Sequence, residues 1–182
     1  MTQAATPAEL VDFWREAGFD RWFKADPAFD AACRAYRPLH EAAARGELSD
    51  WEESPEGALA LVLLLDQFPR NLFRGTPRAW ETDAAALAAA DRAIARGHDR
   101  AIEPALRAFL YMPLMHAEDL GHQERSVALF TGLGIPVNLE AAHEHHALIR
   151  RFGRFPHRNA VLGRPETPAE RDYLSGEGAF RG

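Results

Sequence analysis

This 182-residue sequence predicts an all-α fold of about eight helices arranged as antiparallel pairs. Three observations lead there. Helix-start signals recur from end to end, apolar residues repeat at helical spacing, and no segment reads as a strand. In "TPAEL", Thr6 is placed to cap a helix, Pro7 opens it and Glu9 closes a capping box. "DPAFD" repeats the signal at Asp26 and Pro27. "SPEGALALVLLLDQF" starts on Ser54 and Pro55 and is apolar almost all round, which predicts a helix at the centre of the core. "ETDAAALAAADRAIARG" ends on Gly97, and "HDRAIEPALRAFLYM" follows with Asp99 able to cap. A further helix is expected from Pro113 to about Thr131. "NLEAAHEHHALIRRFG" is read as capped by Asn138 and stopped by Gly153, and "TPAERDYL" repeats the N-terminal box. No Gly/Ser linker or charge block divides the chain, so residues 1–182 are read as a single all-α domain.

Composition narrows the partners. The chain is 47% hydrophobic and 26% charged, and its longest uncharged apolar run, 58–65, is far too short to cross a bilayer. "MTQAATPAEL" lacks the basic start and apolar stretch of a secretory signal, which predicts a cytoplasmic protein with no membrane partner. A net charge of -6 argues against broad attraction to nucleic acid and points to small partners. Cys33 is the single cysteine, so intramolecular disulfides and cysteine-held zinc are excluded, and its place in a helix makes it a packing residue.

Two stretches break the helical pattern in the same way. "DQFPRNLFRG" (66–75) and "GRFPHRNAVLGR" (153–164) each set Phe-Pro, an arginine and an asparagine directly after a helix. Proline disfavours helical geometry in the residue before it, so Phe68 and Phe155 are expected to leave their helices, with Arg70-Asn71 and Arg158-Asn159 in the exit loops. Residues 150–164 hold five arginines and His157 with no acid among them. Asp66 sits at the negative end of a helix and needs a cation. The expectation is that the two corners meet and that an arginine of the second supplies it.

Two histidines fall on apolar stripes. His116, Leu120, Gln123, Val127 and Phe130 share one helical face, as do Leu139, Ala142, His146, Ile149 and Phe152, which predicts inward-facing His116 and His146. Each is either a core histidine bonded to a neighbouring carbonyl or carboxylate, or a functional group. Asp119 with His122 and Glu140 with His143 have the i, i+3 spacing of dimetal helix bundles, but that arrangement needs acids from two further helices and the core helix offers only Asp66. No metal site and no cofactor are therefore predicted. "TGLGIP" follows a helix and lacks a third glycine, so it is no dinucleotide loop, and Ser49, Ser54, Ser126 and Ser175 have no triad setting.

"LALVLLLDQFPRNLFRGTPRAWETDAAAL", "FLYMPLMHAEDLGHQ" and "RRFGRFPHRNAVLGRPETPAERDYL" look like the successive signature blocks of the bacterial family known as domain of unknown function 924, over roughly residues 8–176. The resemblance implies a tetratricopeptide-like superhelical bundle and no established activity. It places signature polar positions on Asp66, Gln67, Arg70, Asn71 and Arg74, on His116, Glu118 and Asp119, and on Arg154, His157, Arg158, Asn159 and Arg164. Met115 and Ala117 stand where the family commonly has an acid and a serine.

Three functions fit these residues. The first is a pocket for a small anionic molecule or peptide carboxylate, with Arg70, Asn71, His146, Arg154, Arg158 and Asn159 as ligand-binding residues and His116 and His157 as polar lining. The second is a hydrolytic enzyme with His116 or His157 as base and Asp66 or Glu118 as orienting acid. The third is a structural or protein-interaction module in which the arginine corners are internal clamps.

Overall fold

The computed structural model describes residues 5–181, so the first four residues of the stretch read for a secretory signal lie outside it. Every described element is helical: α1 (Pro7–Trp22), α2 (Pro27–Cys33), α3 (Arg37–Ala44), α4 (Pro55–Val62), α5 (Phe68–Leu72), α6 (Asp83–Ala95), α7 (Pro104–His116), α8 (Leu120–Leu133), α9 (Pro136–Phe152) and α10 (Pro168–Ser175), with short 3-10 turns between them. The all-α expectation holds, and no strand occurs among the described residues.

The start signals do what their chemistry requires. Thr6 and Thr167 each accept the N–H three residues on, while Glu9 and Glu170 reach back to the cap N–H, completing two capping boxes. Asp26 and Ser54 cap α2 and α4. Two signals were misread. The helix expected to start at Asn138 starts at Pro136, and Asn138 is buried inside it. The helix expected from Pro113 is broken in two: Pro113 lies within α7, and α8 begins only after Asp119, whose carboxylate accepts the His122 N–H. The Asp119–His122 spacing that resembles a metal pair is this helix cap.

The chain forms two compact units, one of residues 1–74 with 78–113 and the other of residues 75–77 with 114–182. In the first, α4 is buried along its length between α1 and α6. Trp14 on α1 packs its indole on Phe29, Phe68 and Phe109 with centroids 5.4–5.5 Å apart. Cys33 is buried there, and burial pushes its thiol up to about 12, as expected of a packing residue. In the second unit, α8 packs on α9 across the turn at Gly134, which adopts a left-handed φ of 74°. Leu148, Ile149 and Phe155 form its core, with Phe152, Tyr173 and Phe180 packed on them. No described helix is long and apolar enough to cross a membrane.

Candidate functional site

The first corner is built around a proline. Pro69 has no N–H to give the Leu65 carbonyl, and its ring crowds that carbonyl. The chain relaxes into a π-helical turn over Leu63–Gln67, in which the Phe68 N–H bonds the Leu63 carbonyl five residues back. Phe68 therefore keeps helical geometry (φ -56°, ψ -40°) and starts α5, so the expected exit at this residue does not occur. Side chains bond three successive carbonyls of the widened turn. His40 Nδ1 lies 2.8 Å from the Leu64 carbonyl, Thr82 Oγ1 donates to Leu65 at 2.6 Å, and Arg70 donates to Asp66.

The fully buried Asp66 finds its cation in Arg70, one turn on in its own corner, at 3.4 Å, and Gln67 Nε2 donates to the same carboxylate. This cation is local: an arginine four residues on shares the helix face. Arg70 also reaches Asp83 at 3.1 Å. Burial works against its charge, but Asp66 and Asp83 outweigh burial and raise its pKa. Arg74 clamps Asp30 of α2 with two bonds of 2.9 and 3.0 Å, and Asn71 is half-buried.

The second corner follows α9, which ends at Gly153 in left-handed geometry (φ 70°). Phe155 here does leave the helix, as Pro156 requires. Arg154 grips Glu170 through Nε at 2.6 Å and Nη2 at 2.8 Å, and also bonds the Pro165 carbonyl. Glu170 is 1% exposed, and Arg154, aided by the Thr167 N–H and opposed by burial, holds its carboxyl far below the ordinary range. Glu118 accepts from the Phe155 N–H at 2.7 Å and from Arg164 at 2.6 and 3.1 Å, while Arg164 also donates to Asn159 Oδ1 and the Phe155 carbonyl. Glu118 thus serves the loop and its arginine. Arg158 lies on the Phe155 ring, 4.6 Å from its centroid, and donates to the His116 carbonyl at 3.2 Å.

Three imidazoles gather beside Arg158. His116 and His145 have centroids 6.1 Å apart, and Phe180 touches both His145 (4.7 Å) and His157 (5.0 Å) edge-on. The inward histidine of α9 is His145, with His146 half-buried beside it. The buried face runs Asn138, Ala142, His145, Leu148, Ile149; it keeps Ala142 and Ile149 of the expected stripe but takes His145 in place of His146, since both lie one turn from Ala142 and packing chooses between them. Half-buried His116 ends α7 and so shares no helix with Gln123, whose Nε2 closes the α7–α8 break by donating to the Met115 and Ala117 carbonyls at 2.6 and 2.8 Å. His145 donates Nδ1–H to the Ala141 carbonyl at 2.8 Å, and burial, then His116 and Arg158, push its pKa down to about 3. Burial and then Arg158 push His157 down to about 4. Its Nδ1 is buried without a hydrogen-bond partner among the described residues. His40, Thr82, His145 and Phe180 escaped sequence reasoning. Pro69 inside an apolar helix was the available signal for the first two, since it orphans a carbonyl that some side chain must meet.

Among the described residues no group of three or more His, Cys, Asp or Glu side chains could hold a metal ion. The arrangement defines an all-α protein with two proline-directed corners, one per unit, in which most arginines are matched to internal acids. The chain belongs to the family described as bacterial proteins of unknown function (DUF924), whose model matches residues 10–178. It is similar to the solved structure of a protein of unknown function from Agrobacterium tumefaciens, with 52% identity, coverage of 93% of this chain and 97% of that one, and a TM-score of 0.90. No curated protein matches.

Proposed function

We propose that this protein binds a small carboxylate, free or as the end of a peptide, at the second corner, with His157 and Arg158 as its donors. The reading rests on the buried, unpartnered Nδ1 of His157. Native folds pair nearly all buried polar atoms, so one left over beside a guanidinium and two further imidazoles calls for a ligand. Arg158 supplies a planar cationic fork backed by Phe155, and His116 and His145 supply polar lining. Arg154 and Asn159 form the supporting wall, through Glu170 and Arg164 respectively. Arg70 serves Asp66 and Asp83, and Asn71 and His146 contribute no donor to this reading.

An anion at this place offsets the field of Arg158 that keeps His157 neutral, so binding draws a proton onto the ring and Nδ1–H then donates to the ligand. Burial and Arg158 lower His157 to about 4, so affinity rises as pH falls through the bound-state value and falls again once the ligand's own carboxylate is protonated, in the same range of about 4. The test is thermal melting of the full chain with acetate, benzoate and N-acetylglycine. A ligand selective for the native state raises Tm by mass action, and His157→Phe, which preserves ring packing, abolishes the rise. A rise that persists in His157→Phe, or no rise with any of the three, overturns the reading.

A second reading has its own support: Arg154–Glu170 and Arg164–Glu118 are two-bond clamps that tie the loop to α10 and to the α7–α8 link. On it, the corner is structural and function lies on a partner surface. In that case Arg158→Lys lowers Tm equally with and without carboxylate.

A further inference from the structure

The π-helical turn builds a second polar site, in the first unit and independent of the carboxylate reading above. A cavity of about 300 Å³ lies against it, walled by His40, Glu41, Arg45, Arg78, Glu81 and Thr82. Pockets of this size are at the small end of those that enclose ligands. The turn sets the chemistry of two of these groups. A carbonyl can only accept, so His40 carries its proton on Nδ1 toward Leu64, and its other nitrogen is left as a lone-pair acceptor. Burial, reinforced by Arg78 and only partly opposed by the Leu64 bond, keeps the ring neutral. Thr82 spends its hydroxyl proton on Leu65, so its oxygen also faces a ligand as an acceptor.

The charged groups divide by sign and by how tightly they are held. Arg45 is committed to Glu47 through bonds of 2.7 and 2.8 Å. Arg78 sits over the Phe73 ring, 3.9 Å from the centroid, and its ion pairs with Glu81 (3.4 Å) and Glu41 (3.9 Å) are long. It is a positioned cation with donors to spare. Glu41 bonds Arg37 at 2.9 Å, and Glu81 is exposed. The wall thus offers several acceptors, two of them carboxylates, beside one loosely paired guanidinium.

We infer that this cavity binds an amino-acid-sized zwitterion, its carboxylate on Arg78 and its ammonium among Glu81, Thr82 and the acceptor nitrogen of His40. A ligand with both charges satisfies both kinds of wall group, and each half alone leaves one kind unmatched. π-helical turns recur at functional sites, and here the turn is what orients His40 and Thr82.

The test follows His40 imidazole resonances of the full chain during titration with L-serine, ethanolamine and N-acetyl-L-serine, which carry both charges, the amine alone and the carboxylate alone. The expected result is saturable movement of the His40 signals with serine and binding roughly tenfold or more weaker for either half-molecule. Arg78→Gln is expected to reduce serine binding by the same factor while ethanolamine, which loses a neighbouring cation and gains a freer Glu81, binds no more weakly than before. Absence of His40 movement with serine, equal affinity for all three compounds, or unchanged serine binding in Arg78→Gln overturns the inference.

Discussion

Glu170 carries two duties on one carboxylate: it receives both donors of Arg154 and the Thr167 N–H of its own capping box. Glu170→Gln leaves Arg154 without its counter-charge, and a loss of about 2 kcal/mol is expected, read as a lower urea midpoint with an unchanged slope. Thr82→Val leaves the buried Leu65 carbonyl without its donor at nearly constant volume and is expected to cost about 1–3 kcal/mol. At this scale the sequence was half legible. The Thr-Pro-x-Glu box announced Glu170 as a cap, because capping is local. Its pairing with Arg154 was invisible, because that contact depends on how the loop after Gly153 folds back. His145 was missed in favour of His146 because the two lie at i+3 and i+4 from Ala142, both compatible with one helical stripe, and tertiary packing chooses between them.

The elements were read well where a cap or a proline opens a helix, as at Thr6, Asp26, Ser54 and Thr167, since those signals act within one turn. They were read badly where proline sits inside a helix. Pro69 and Pro113 both lie within continuous helical stretches, one accommodated by a π-helical turn and the other inside α7, because packing on either side outweighs the lost N–H bond. The π-helical account predicts that Pro69→Ala restores an N–H for Leu65 and lets residues 63–67 return to α-helical pairing. His40 then loses its carbonyl partner, which shows as loss of the fixed Nδ1–H tautomer in imidazole NMR. Retention of that tautomer in Pro69→Ala contradicts a proline-driven turn.

For the molecule as a whole, the acid response sums groups of one sign. His145 and His157 titrate at about 3 and 4 in the folded chain against 6.5 as the ordinary value, so the unfolded chain binds more protons below 6.5. Their contribution is complete above pH 6.5 and is lost as pH falls toward those folded values. Glu170 adds to the loss below its ordinary 4.5, because its carboxyl is lowered in the fold. Stability is therefore expected to decline from about pH 6.5 downward, with His145→Leu flattening the upper part of that decline in urea titrations repeated across pH. The all-α class was legible from capping signals and composition, and the family from three ordered blocks. The division into two units was not, because no linker or composition shift marks it.

The carboxylate reading is tested most directly by following the imidazole nitrogens of His157 by NMR while the full chain is titrated with benzoate. The account predicts that Nδ1 moves to a hydrogen-bonded, donating state and that the ring's titration midpoint rises above about 4. A His157 signal and midpoint that stay unchanged at benzoate concentrations on the order of 100 mM, beyond any useful affinity, contradict it.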